Sequence, residues 1–133
     1  MNDIKFRAWD KEDSKIRKVL GMSFEHGAIS VELNNEKYLQ DDASRFEIMQ
    51  YTGLKDKNGV EIYEGDIVKQ IPKEGYEHII ANGDLGIIKS SFGSCVIINA
   101  KDGKTHFFFY TEQEVLGNIY QHPELLGDSQ WLH

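Results

Sequence analysis

Apolar and polar residues alternate along this chain with the period of β-strands, and turn-forming residues cut the alternation into short runs. Ile4, Phe6 and Ala8 alternate with Lys5, Arg7 and Trp9, which predicts a strand over residues 4–9. A charged turn at Asp10-Lys11-Glu12-Asp13 leads to Ile16, Val19 and Leu20. The pieces 22–24 and 28–33 then flank a reversal at His26-Gly27. Residues 34–44 are polar, hold Tyr38 and Leu39, and read as a loop or one short helical turn. Residues 45–51 alternate again as a strand with both faces partly apolar. Asn58-Gly59 is a strong tight-turn signal within 55–59, and Gly65-Asp66 opens the next apolar run.

From Gly65 the pattern becomes regular and predicts strands at 66–71, 85–90, 94–99, 105–110 and 114–119. Their separators are residues 72–84, ending in Asn82-Gly83, then a turn with Gly93, then Asp102-Gly103, then 111–113. Five short strands at this spacing predict a mainly β fold, specifically a small SH3-like antiparallel barrel with additional N-terminal strands. His122-Pro123 through Gly127 reads as a short C-terminal helical turn, its Leu125 and Leu126 capping an open end of the barrel. The expected organisation is one domain over 1–133: an N-terminal block of strands and turns (1–64), a barrel-like core (65–120) and a C-terminal cap (121–133).

Composition supports a folded chain: of 133 residues 40% are hydrophobic and only two are proline, enough apolar surface to offset chain entropy. No apolar run approaches the roughly 20 residues of a membrane-spanning helix, and the amino terminus has no signal-peptide core. The expectation is a cytoplasmic protein with no membrane partner. Net charge is -7, with six Lys/Arg against four Asp/Glu in residues 1–20 and four acids without a Lys or Arg in residues 111–133. Such a surface disfavours a phosphate backbone, although Lys5, Arg7, Lys15, Arg17 and Lys18 could form a local basic face. The lone Cys95 sits in an apolar run and reads as a small buried hydrophobe.

Candidate chemistry is sparse. Asp56 and Asn58 have the spacing of the first calcium-loop ligands, but Gly59 falls at position four where position six is needed, and position twelve is Ile67 where a Glu is needed. A turn between strands explains the same residues. Glu61, Glu64 and Asp66 crowd together without an orienting His, so they read as solvated acids with Asp66 as a turn former. The five histidines, His26, His78, His106, His122 and His133, lack metal-ligand spacing, and no nucleophile elbow or phosphate-binding glycine motif occurs. No catalytic residue, cofactor or metal is therefore expected. The densest aromatic run is His106-Phe107-Phe108-Phe109-Tyr110; as a strand it puts Phe107 and Phe109 on one face and the other three on the opposite face. One of those faces becomes a ridge that packs within the chain, meets another protein or stacks bases.

Four separated stretches, Phe6-Arg7-Ala8-Trp9-Asp10, Gln50 to Gly59, Glu64-Gly65-Asp66-Ile67-Val68 and Gly117-Asn118-Ile119-Tyr120, occur in an order and spacing that resembles the YopX family of phage and prophage proteins. Residues 11–44 and 72–112 carry no comparable signal. The resemblance implies a bacterial or phage origin, a small cytoplasmic protein and a mostly β fold. It supplies no catalytic residues.

The leading functional expectation is a non-enzymatic accessory module that binds a protein, a second copy of itself included. The alternative is a nucleic-acid-binding accessory protein using Arg7, Trp9, Lys55 and Lys57, and a third is a small hydrolase built from scattered carboxylates. Arg7, Trp9, Tyr51, Lys55, Tyr63 and Asp66 are the expected interaction positions. Each also has a structural explanation: Trp9 and Tyr63 as core aromatics, Arg7 as a cross-strand partner of Asp66.

Overall fold

A computed structural model describes residues 4–34, 37–91 and 93–127, with the backbone alone at residue 91. It divides into two compact units, residues 1–51 and 52–133. The fold is mainly β, as expected, in two antiparallel sheets.

In the first unit lie β1 (Phe6–Asp10), β2 (Lys15–Ser23), β3 (Ala28–Asn34), β4 (Lys37–Asp42) and most of β5 (Phe46–Lys55), in the sheet order β4-β3-β2-β1-β5. The alternation at the start of the chain survives from Phe6 onward: Ala8 is buried, while Ile4 lies exposed before the strand. The reversal at 24–27 is where His26-Gly27 places it, with Ser23 paired to Ala28. Residues 34–44 differ from their polar appearance. They contain β4, which pairs with β3 from Ala28↔Asp42 to Asn34↔Lys37, and a 3-10 turn follows over Ala43–Arg45. An edge strand buries little, so its residues need not alternate. Ala8, Ile29, Val31 and Phe46 form the core, with Val19, Met22, Leu39 and Ile48 packed against it.

Asp10 lies in this unit fully buried and charged. Its Oδ1 accepts from Arg45 Nε at 2.8 Å, and its Oδ2 accepts from Arg17 Nε at 2.8 Å and Arg45 Nη2 at 2.9 Å. The backbone N–H groups of Glu12 and Asp13 also donate to Oδ1. The Arg45 bond, joined by Arg17 and the two amides against the effect of burial, holds the Asp10 carboxyl well below the ordinary carboxylate range. The residue closing the Phe-Arg-Ala-Trp-Asp stretch thus ties β1 to β2 and to the turn before β5.

In the second unit β5 ends beside β6 (Glu61–Tyr63), where Thr52 Oγ1 donates to the Ile62 carbonyl at 2.8 Å. The other sheet has β7 (Asp66–Pro72), β8 (Leu85–Ser91), β9 (Ser94–Asn99), β10 (Thr105–His106) and β11 (Thr111–Asn118), ordered β10-β9-β8-β7-β11. Three predicted strands, 66–71, 85–90 and 94–99, appear nearly as drawn. The expected barrel closure does not, because the strand order is open, with β10 and β11 at its ends. The reason is local: the run expected as one strand over 105–110 keeps β pairing for only two residues before a 3-10 turn at Phe108–Tyr110. A two-residue edge offers too few ladder bonds to hold a closing partner. Both faces of the sheet are packed: Val68, Ile88 and Ile97 join Ile62 on one side, and Ile67 and Ile87 join Leu126 on the other.

The C-terminal helical turn is a 3-10 turn, Pro123–Leu126, in which Leu126 is buried and Leu125 exposed. Of the expected cap, residues 128–133 lie outside the described residues. The Gly-Asn-Ile-Tyr stretch has its own reason. A Cβ on Gly117 would run into the His122 ring, whose Nδ1 accepts the Asn118 N–H at 3.2 Å, and Asn118 Oδ1 takes the N–H groups of Tyr120 and Gln121.

Asp10→Asn should leave two guanidiniums facing a neutral amide and cost on the order of 3 kcal/mol, read as a lower urea midpoint. Because the folded carboxyl titrates below the unfolded one, the contribution is complete above about pH 4 and is lost as the pH falls further. Wild type should therefore lose stability on acidification in that range, and Asp10→Asn should show a shallower loss.

Candidate functional site

The six expected interaction residues are divided between the two units. Arg7, Trp9 and Tyr51 belong to the first unit and Lys55, Tyr63 and Asp66 to the second. Arg7 is half-buried with Nη2 3.6 Å from Met49 Sδ, Trp9 is half-buried, and buried Tyr51 carries Lys5 Nζ 5.1 Å from its ring centroid. Asp66 is buried and acts as a turn former, its Oδ2 accepting the Tyr63 N–H at 2.8 Å. Tyr63 is half-buried. Of the six, Lys55 lines a groove.

That groove, of about 640 Å³, lies within the second unit. One wall is Leu54 to Lys57, the other is Phe107 to Phe109, Cys95 and Gln113 also line it, and Lys73, Ser94, Thr111 and Glu112 complete the lining. The first wall is set by Asp56. Its Oδ1 accepts the N–H groups of Asn58 at 2.8 Å and Val60 at 2.9 Å, and its Oδ2 accepts that of Val115, on β11, at 2.8 Å. Burial pushes this carboxyl up, but the bonds from Val115, Val60 and Asn58 outweigh it and keep it below its ordinary value. Gly59, at φ +84°, lets the turn close so that Asp56 N–H donates to the Val60 carbonyl. Both Asp56 oxygens thus serve the turn and its link to β11. Among the described residues no group of His, Cys, Asp and Glu is arranged to hold a metal ion.

The aromatic wall is pinned from below. Gln113, buried, directs Nε2 to the carbonyls of Phe108 (3.0 Å) and Thr111 (2.8 Å) and to Thr111 Oγ1 (2.8 Å). This amide holds the chain in its turn, so the aromatic run leaves the sheet. Phe107 and Phe109 are still presented together, 50% and 58% exposed, with ring centroids 5.8 Å apart and planes within 5°. Tyr110 packs edge-on against both, and Tyr76, from the long loop after β7, stacks on Tyr110 at 4.9 Å. At the other end of the run, buried His106 places Nδ1 3.2 Å from Gln70 Oε1. Desolvation lowers the His106 pKa, with Asp102 and Asp84 opposing.

Cys95 is half-buried, and burial together with the Glu64 carboxylate pushes its thiol up, away from a reactive thiolate. The aromatic ridge and Lys55 were visible in the sequence. Gln113 and Lys73 carried no sequence signal, because each reaches the groove only through the turn at 108–110 and the pairing of β7 with β11.

A family model described as YopX protein matches residues 5–127. A search of curated proteins finds no match. Among solved structures, the crystal structure of protein EF1440 from Enterococcus faecalis is similar with a TM-score of 0.60 at 26% identity, covering 95% of this chain and 99% of that one.

Gln113→Leu removes the amide from three acceptors and should cost about 1–3 kcal/mol in urea unfolding. Stability should also fall as the pH drops through 6.5: the unfolded chain then binds a proton that the buried His106 imidazole resists. His106→Phe should flatten that slope, measured as urea midpoints between pH 8 and about pH 5.

Proposed function

The chain belongs to the YopX family, and we propose that it is a non-enzymatic accessory module that binds a segment of another protein in the groove between Leu54–Lys57 and Phe107–Phe109. The observation that carries this reading is the pair of parallel, half-exposed phenylalanine rings. Large apolar side chains held in a fixed geometry at the surface are what protein interfaces bury as anchors. The family stretches support it from the other side. Asp10, Asp56 and Asp66 accept bonds that hold strands and turns, so these three aspartates of those stretches have structural work that needs no reaction.

An SH3-like lineage for the second unit belongs to the same proposal, supported by five short antiparallel strands beside an aromatic groove, with an open strand order in place of a closed barrel. So do a phage or prophage origin and a cytoplasmic location; no helix of the described residues is long and apolar enough to cross a membrane. A second copy of the chain is one form the partner could take. A nucleic-acid interface is the second reading, favoured by Lys55 and Lys57 standing in the same groove as the phenylalanines. Arg7 and Trp9 belong to the other unit.

A photo-crosslinking residue in place of Leu54, which is 44% exposed on the groove wall, tests the reading in producing cells. Discrete protein adducts that vanish in Phe107→Ala/Phe109→Ala support it; nuclease-sensitive adducts, or none, overturn it. Light scattering after size exclusion decides the self-association form, which a monomer at every micromolar concentration would remove.

A further inference from the structure

We infer that the groove takes an extended acidic polypeptide segment carrying a large apolar anchor, an inference that rests on the binding reading above. The groove reverses the sign of the molecule. The chain carries a net charge of -7, yet Lys55, Lys57 and Lys73 all line this one groove against two acids, Glu112, which is exposed, and Asp56, which is buried with both oxygens on backbone amides. Lys57 is shared with Glu114 at 3.6 Å, whereas Lys55 and Lys73 have no ion pair among the described residues. Two ammonium groups flanking an apolar wall ask for carboxylates on either side of an apolar group. The anchor has a prepared seat: the rings of Phe107 and Phe109 lie parallel, Tyr110 backs them both edge-on, and half-buried Cys95 and Phe108 continue the apolar lining.

Polypeptide is favoured over single-stranded nucleic acid on two grounds. A strand with a charge at every nucleotide meets the repulsion of the whole acidic surface, while a peptide can confine its acids to the lysines. The two phenylalanines also stack on each other, which leaves no slot between them for a base.

The test uses the full chain and fluorescein-labelled peptides of about twelve residues, long enough to cross the groove when extended. One peptide combines Asp and Glu with a central Trp-Leu, a second replaces its acids by Lys, and a third replaces Trp-Leu by Ser-Gly. Oligothymidine of the same length serves as the nucleic-acid arm. Anisotropy should show binding of the first peptide alone, weakening with salt. Lys55→Glu/Lys73→Glu should weaken it about tenfold, the scale of reversing two exposed ion pairs, while Phe107→Ala/Phe109→Ala should abolish the preference for the anchored peptide. Circular dichroism confirms that both variants remain folded. Equal binding of the acidic and basic peptides sinks the ligand assignment and leaves groove binding standing. Absence of peptide binding together with no adduct from position 54 sinks both, as does tighter binding of oligothymidine.

Discussion

Three backbone amides converging on the carboxylate of Asp56 fix one wall of the second unit's groove. An aspartate normally prefers water, and burying one is costly unless its oxygens are fully engaged. Here the engagement comes from Asn58 and Val60 within one turn and from Val115 far along the chain. The side chain therefore joins a local reversal to a long-range strand contact, and the lysines on either side of it are carried to the groove wall as a result. Without that carboxylate, Val115 N–H would lose its partner and the Lys55–Lys57 segment its tether to β11.

The first unit uses a different version of the same device. Asp10 is buried against two guanidiniums, whose planar forks supply directional charge-assisted bonds, together with two backbone amides. Arg17 also reaches Asp13 and Arg45 reaches Asp41, so a small charged network spreads outward from one buried carboxylate. In a protein with 22 acidic residues, most acids are surface charge, and the few that are buried act as struts.

Sequence patterning reads well where structure is local. The Asn58-Gly59 reversal, the His26-Gly27 reversal and the strands near 66–71, 85–90 and 94–99 follow from turn chemistry and apolar period. What was not legible depends on distant partners. Asp10 looks like part of a charged turn until Arg17 and Arg45 are brought to it. Residues 37–42 look like a loop because an edge strand needs pairing more than burial. The aromatic run has strong strand propensity, but the Gln113 amide turns it after His106, and this also removes the edge a closed barrel would need. For the groove, the phenylalanines and Lys55 stood out by residue type, whereas Lys73 and Gln113 had meaning only once β7 and β11 were paired.

The residues that hold the groove are different from those that line its mouth. Asp56 and Gln113 are buried and bonded to backbone, while Lys55, Lys73, Phe107 and Phe109 project from it with few obligations to the fold. Such a division makes the surface evolvable: the exposed side chains can be exchanged at little thermodynamic cost while the inherited scaffold keeps its fold.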